Sequence, residues 1–506
     1  MKLVTAEQLR AIDAYTIAHE PIASIDLMER AASACMRRIV RLTGHDDEIF
    51  IACGKGNNGG DGLAIARLLL ENGFNCRALV IHYSERFSAD AQQNYDRLKE
   101  RFAEHVHDCY SPEQVEEHKP GNAALLVDAL LGTGISKPAD GFLGDVIDML
   151  NRSFRRIISI DVPSGLYTDK TSKDSRHIIC STLTLTFQLP KLAFLMPENK
   201  LFVPEFEIID IGLHAEALQN AGSNYYYITA QLVASFLKPR QKFSHKGSFG
   251  HALLAAGSKG KSGAAIISAL SCMRSGAGLL TLHSNKETIN ALLHHLPEAM
   301  SSEDAHPEFI SRIDKPERFD AIAFGPGVGL HEETQQVLKN LLGHYNGRLV
   351  IDADGLNSLS ENKTWLGFLP SDTILTPHPK EFERLTEACS DDFERLDVLK
   401  RFSSRCNCIV ILKGAHSAVA MPDGSVFFNS SGNPGLAKAG SGDGLTGIIL
   451  GLLSRGYNAP QSALIGTFVH GYAADLCLKK ISMESLLITD VIKKLPTAFK
   501  KLYRES

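Results

Sequence analysis

The chain has 506 residues, 44% hydrophobic and 22% charged, proportions that exclude wholesale disorder and collagen-like repeats and, at this length, predict two to four domains. Its 53 basic and 58 acidic side chains leave a net charge of −5, which gives no support for a nucleic-acid or polybasic membrane partner.

In chain order, Glu7 and Asp13 stand where a signal peptide would need an apolar core, so no export is expected. Strand-like runs then alternate with helical patterns: IFIAC from Ile49, CRALVI from Cys76, AALLVDAL from Ala123 and RIISIDV from Arg156. TLTLTF from Thr182 and FEIIDIGL from Phe206 follow with little room between them for helices and are expected at a sheet edge. The rhythm breaks over the polar segment near residues 214–230 and restarts with HALLAAG from His251, GLLTLH from Gly278, DAIAFG from Asp320, RLVIDAD from Arg348, TILTPH from Thr373 and CIVILKG from Cys408. Two small-residue helices, GLTGIILGLLS from Gly444 and ALIGTFVHGYAADLCLKK from Ala463, close the chain, and their apolar runs are too short for a bilayer span. Alternating strands and helices predict parallel sheets covered on both faces, hence two α/β domains: residues 1–215, a linker at 216–230, and residues 231–506. The ten cysteines are scattered without zinc spacing, the closest pair, Cys406 and Cys408, falling in a strand-like run. A reduced cytosolic enzyme is the expected class.

In the first half, GKGNNGGDG (Gly54 to Gly62) follows a strand and opens a helix, an arrangement that presents backbone N–H groups to phosphate. A plain turn capped by Asn57 or Asn58 would use the same residues. Two other strands end in VDALLGTG, with Asp128, and DVPSG, with Asp161 and Ser164. In an open parallel sheet such ends converge on one crevice, although each aspartate alone could simply cap a turn. Together, in this order and spacing, the three motifs resemble the NAD(P)HX epimerase domain, over roughly residues 1–215. The resemblance implies a Rossmann-like three-layer fold. It implies a hydrated-dinucleotide site of Asn57, Asn58, Gly59, Gly60 and Asp61 with the loop Gly132, Thr133, Gly134, Ile135, Ser136, Lys137 and Pro138. It also implies a potassium ion (K+) at Asn58, Asp128 and Ser164, a hard cation suited to oxygen ligands, and Asp161 at the reacting ring. Epimerising a carbon that bears a hydroxyl beside a ring nitrogen requires loss and return of water, and so a positioned acid/base such as Asp161.

In the second half, Gly440, Ser441, Gly442 and Asp443 open an apolar helix, where freed N–H groups can face phosphate and the carboxylate can take a proton from a substrate hydroxyl. An aspartate serving the helix dipole is the plain alternative. KGAHS (Lys413, Gly414, Ala415, His416, Ser417), FGPGVG around Gly327, TPHPKE around His378, DADGLN and GSKGKSGAA with Ala264 join it. GxGD alone resembles ribokinase-like kinases; the joint set resembles the ADP-dependent NAD(P)HX dehydratase, from about residue 231 to the end. By that resemblance Ala264, Gly327, His378 and Asp443 contact the hydrated nicotinamide nucleotide, and Lys413 to Ser417 with Gly442 contact the adenine nucleotide. Ser441 stands where Thr is common, and Gly355 where Ala is common.

Both families are halves of the bifunctional NAD(P)H-hydrate repair enzymes, isomerase and lyase in one chain. The resemblance implies NADHX and NADPHX as substrates, ADP (ATP as the alternative) as phosphoryl donor, Mg2+, a cytoplasmic homo-oligomer, and no nucleic-acid or membrane partner. A ribokinase-like kinase of a small hydroxymethyl compound, or a first half that only binds a nucleotide or protein, would use some of these features but not TPHPKE, KGAHS and the intact Asn58, Asp128 and Asp161 together.

Overall fold

The computed structural model describes residues 1–44, 47–118 and 124–504. The chain divides into two units, one essentially of residues 2–223 and the other of 224–506, a division inside the segment expected as a linker. That segment carries a helix, Ala215–Asn220, and a strand, Tyr225–Tyr227.

The N-terminal unit begins with α1 (Ala6–His19) and α2 (Ser24–Val40). A capping box holds the start of α1: the Thr5 hydroxyl accepts from Gln8 N at 3.2 Å, while Gln8 Oε1 accepts from Thr5 N at 2.9 Å. Then come β1 (Ile49–Cys53), α3 (Asn57–Glu71), β2 (Cys76–Ile81), α4 (Ala89–Phe102), β3 (Val106–Cys109), α5 (Pro112–Glu117), β4 (Leu125–Ala129), α6 (Phe142–Ser153), β5 (Arg156–Ile160), β6 (Leu183–Phe187) and β7 (Phe206–Ile209). Ala123, where the expected run before Asp128 began, lies outside the described residues. The sheet order is β3-β2-β1-β4-β5-β6-β7, every neighbour parallel. β6 and β7 form the expected edge, and the segment between them, 188–205, carries only the 3-10 turns Leu192–Leu195 and Pro197–Asn199.

Alternation along β1 makes three layers. Ile49, Ile51 and Cys53 pack with α1, α2 and α3, whereas Phe50 and Ala52 pack with Val146, Ile147 and Leu150 of α6 on the other face. The chain reverses its direction of growth between β1 and β4, so the crevice beyond their carboxyl ends is the topological switch point.

The C-terminal unit has β8 (Tyr225–Tyr227), α7 (Ala230–Phe236), β9 (His251–Ala255), α8 (Ser262–Arg274), β10 (Leu279–Ser284), α9 (Lys286–His295), β11 (Met300–Glu303), β12 (Ala321–Phe324), α10 (Glu332–His344), β13 (Arg348–Ile351), α11 (Asp354–Glu361), β14 (Ile374–Leu375), α12 (Pro379–Leu385), α13 (Asp392–Cys406), β15 (Ile409–Leu412), β16 (Ala418–Ala420), β17 (Val426–Phe428), α14 (Ser441–Ser454), α15 (Ala459–Cys477) and α16 (Ile488–Leu502). Its strands run β8-β17-β16-β15-β14-β13-β12-β9-β10-β11. β9 to β15 are parallel to their neighbours, and β15-β16-β17 form an antiparallel meander.

Helix α14 is buried almost all round because it crosses α8 on glycines: a Cβ on Gly447 would stand 2.1 Å from the Ser268 carbonyl oxygen, and one on Gly451 2.5 Å from that of Cys272. Cys406 proves to be the last residue of α13 and not part of a strand; Asn407, at φ +45°, makes the turn into β15. All ten cysteines are free. The single tryptophan of the chain, Trp365, sits half-buried in this unit, with the Lys339 ammonium 5.9 Å from its ring centroid. No helix among the described residues is long and apolar enough to cross a membrane.

Candidate active sites

In the N-terminal unit the glycine-rich turn closes by direct backbone contact. A Cβ on Gly54 would lie 2.0 Å from the Leu130 carbonyl oxygen, and one on Gly59 1.9 Å from that of Gly54. The N-cap of α3 is Gly56, and neither Asn57 nor Asn58 caps it. Asn58 instead reaches across the switch point, its Nδ2 donating to the Leu131 carbonyl at 2.8 Å, and its Oδ1 is buried without a hydrogen-bond partner. Beside it Asp128, fully buried, accepts from Ser159 Oγ at 2.8 Å, Ser164 N at 2.9 Å and Ser164 Oγ at 2.5 Å. Burial raises its pKa, and the hydrogen bonds from Ser164 and Ser159 oppose the shift.

Asp161 follows β5 in a left-handed conformation, φ +62°, with its N–H donated to the Leu185 carbonyl at 2.8 Å. Its Oδ1 accepts from Lys191 Nζ at 2.7 Å and Phe187 N at 3.1 Å. The buried Lys191 ammonium also donates to Thr186 Oγ1 at 3.0 Å and to the Leu189 carbonyl at 3.1 Å, so both charges of the ion pair are satisfied.

A cavity of about 420 Å³ brings these pieces together, and Asn57, Asn58, Asp61, Asp161 and the loop Gly132, Thr133, Gly134, Ile135 line it. Gly59 and Gly60 shape the turn behind it, Asp128 and Ser164 lie beneath Leu131, and Ser136, Lys137 and Pro138 continue the loop without lining the cavity. Asp61 is buried, which together with the charges of Asp161 and Asp13 drives its pKa well up.

Two groups here escaped the reading of the sequence. Lys191 was detectable as a lone cation amid buried Leu189, Leu192, Ala193 and Phe194. Asp13 was detectable as a charge on the stripe Leu9, Ile12, Thr16 that α1 buries.

In the C-terminal unit Gly440, at φ +87°, admits α14 with Ser441, Gly442 and Asp443 in its first turn. Lys413, at the end of β15, donates to Asp352 Oδ1 at 3.0 Å and stands 4.0 Å from Glu381 Oε2. Asp352 is fully buried, yet its pKa lies below the ordinary value, because the Lys413 charge and hydrogen bonds from Thr376 and Thr446 outweigh desolvation. The Thr446 bond, 2.8 Å to Asp352 Oδ2, ties α14 to this pair. A Cβ on Gly442 would lie 3.2 Å from Lys413 Nζ, so glycine lets the ammonium approach the helix start. Desolvation first, then the nearby Asp352 charge, push the Asp443 carboxyl up to about 6.

Gly327, at φ +67°, lies against Ala264: a Cβ there would be 3.2 Å from the alanine methyl. His378 caps α12, its Nδ1 accepting from Lys380 N at 3.1 Å and Glu381 N at 3.3 Å, which leaves Nε2 as the ring's other edge. Gly414 to Ser417 form the β15–β16 turn, with Gly414 N donating to Ser417 Oγ at 3.2 Å and His416 Nδ1 3.0 Å from the Asn429 carbonyl. His470, 3.5 Å from Ser441 Oγ, was not anticipated; burial and the Lys413 charge lower its pKa to about 4, so it is neutral. At Gly355 a methyl would meet Ile351 Cγ2 at 2.7 Å, so the glycine matches how Ile351 packs here.

Two family models match the chain: residues 252–497 that described as NAD(P)H-hydrate dehydratase, and residues 24–193 that described as YjeF-related protein N-terminus. The bifunctional NAD(P)H-hydrate repair enzyme Nnr of Moorella thermoacetica is 33% identical over 524 residues, covering 100% of this chain and 98% of that protein. The enzyme of the same name from Thermofilum pendens is 31% identical, covering 99% of this chain and 97% of that protein. A ribokinase-like superfamily protein from Enterococcus faecalis V583 superposes with a TM-score of 0.50 at 28% identity, covering 56% of this chain and 97% of that one. The C-terminal unit is therefore ribokinase-like, the N-terminal unit is the YjeF-related domain, and the chain belongs to the family of bifunctional NAD(P)H-hydrate repair enzymes.

Proposed function

We propose that this chain returns hydrated NADH and NADPH to use. The N-terminal unit interconverts the 6R and 6S epimers, and the C-terminal unit dehydrates the 6S epimer at the expense of a nucleotide. One observation carries the reading: in each unit a glycine-opened helix start lies beside the carboxyl ends of the strands together with an aspartate that either pairs with a buried lysine, as Asp161 does with Lys191, or stands near a lysine–aspartate pair, as Asp443 does near Lys413 and Asp352.

In the C-terminal site Asp443 is the base. With its pKa near 6 it is ionised at neutral pH and takes the proton of the substrate's 6-hydroxyl as that oxygen accepts a phosphoryl group. Phosphate is a good leaving group where hydroxide is a poor one, and the ring nitrogen's electrons expel it, restoring the 5,6 double bond as C5 loses a proton. Lys413, oriented by Asp352, and the N–H groups of residues 440–442 supply positive charge for the group in transit. The adenine nucleotide is assigned to Lys413 through Ser417 and Gly442, the hydrated nucleotide to Ala264, Gly327, His378 and Asp443. Mg2+ would neutralise phosphoryl oxygens.

In the N-terminal site Asn57 to Asp61 and the loop from Gly132 to Pro138 bind the hydrated dinucleotide, with Asp161 at the ring. The unpartnered, buried Asn58 Oδ1 beside Asp128 and Ser164 is an oxygen cluster short of a positive charge, which fits K+. Held by Asn58, Asp128 and Ser164, the ion would fix the two loops and supply charge near a phosphate.

The test follows the return of reduced-nicotinamide absorbance from mixed-epimer NADHX, with potassium, and with ADP, ATP or neither. Full nucleotide-dependent recovery is expected. Asp161→Asn cuts it to the share of one epimer, and Asp443→Asn abolishes it. No recovery with either nucleotide overturns the reading.

A further inference from the structure

Exchange of a hydroxyl from one face of a ring to the other needs protons handled on both faces, and Asp161 is only one carboxyl group at the ring. The cavity holds more. Asp13 reaches it from α1, which packs on the sheet, whereas Asp161 enters from the end of β5, so two carboxyl groups carried by different elements face the one cavity.

We infer that Asp13 is the second proton-transferring residue of the epimerase site, serving one face of the substrate ring while Asp161 serves the other. The inference rests on the epimerase reading. One carboxylic acid protonates the 6-oxygen as the C6–O bond breaks, the ring nitrogen's lone pair forms N1=C6, and one water leaves. A second water adds to the opposite face, and its proton goes to the other, ionised carboxylate. One water departs, one enters, and one proton passes from acid to base; the reverse turnover or solvent resets the pair.

The surroundings suit a donor and an acceptor. Asp161 is ion-paired with Lys191. Asp13 is pushed up to about 6, by burial first and then by the Asp161 charge, with Lys191 opposing. The other titratable groups on the cavity wall are Arg10, which cannot act as a base, Tyr83, a phenol made less acidic by burial, and Asp61, whose pKa is driven well up by burial and by the charges of Asp161 and Asp13.

The experiment uses the full chain without added nucleotide, which silences dehydration, and a single NADHX epimer. Chromatography follows the appearance of the other epimer from pH 5 to 9. If the wild type forms none, the epimerase reading itself fails, whatever Asp13 does. Given wild-type activity, Asp13→Asn should lower kcat by at least about 100-fold. KM should stay within about threefold, and the fall in wild-type kcat/KM as pH rises through about 6 should disappear. Asparagine copies the shape of the neutral acid, so a merely structural Asp13 would tolerate it, and an unchanged unfolding midpoint checks this. Asp13→Glu should retain part of the activity with a displaced pH limb. A kcat within threefold of wild type in Asp13→Asn, a loss confined to KM, or an undisplaced limb in Asp13→Glu overturns the inference.

Discussion

At Asp443 the protein holds a carboxyl largely out of water beside the charge of Asp352, and its pKa rises to about 6. A carboxyl whose folded-state pKa exceeds its unfolded value near 3.9 stabilises the fold fully below about pH 4, and that contribution is lost as pH rises through about 6. Removing the charge therefore helps the fold where the enzyme works. Asp443→Asn should be more stable than wild type at pH 7.5, by roughly 1–3 kcal/mol, and the gain should vanish near pH 4. Urea unfolding at the two pH values measures this. An Asp443 kept only to serve its helix dipole would give a loss instead. The candidate residues open to reading were those in a recognisable motif at a strand end or a helix start: Asn58, Asp128, Asp161, Lys413, Asp443. Lys191, Asp13 and His470 come from segments without such punctuation, and only the fold brings them to the candidate sites.

Helix α14 must carry Asp443 to within reach of Lys413 while lying tight on α8, and Gly447 sets that distance. Gly447→Ala should push the helices apart, costing about 1–3 kcal/mol and lowering nucleotide-dependent dehydration with epimerisation unchanged. Equal losses in both activities would show that the contact does not act locally. Elements were legible where burial is total: the parallel strands read as continuous apolar runs because both faces are covered. Boundaries were harder. The stretch Cys406 to Cys408 has strand-like neighbours, but the helix ahead of it persists through Cys406 and needs the left-handed Asn407 to end, a local backbone event that composition does not announce.

Each candidate site is built wholly from its own unit's residues. Asp161→Asn protein mixed with Asp443→Asn protein should therefore recover NADH from both epimers as completely as wild type, at a rate that scales with the concentration of each. Failure of the mixture, with each variant competent in its own remaining half-reaction, would require transfer within one chain. The alternation of strands and helices was enough to read two α/β units. The polar stretch at 216–230 was not enough to reveal its helix and strand, because short elements there depend on the sheet they join.

The solitary Trp365 makes the protein optically lopsided. Indole emission excited near 295 nm reports only on the C-terminal unit, whereas far-ultraviolet dichroism sees both. If the two signals melt together, the units unfold as one. If they separate, the fluorescence curve isolates the dehydratase half in the intact chain, without any label or truncation.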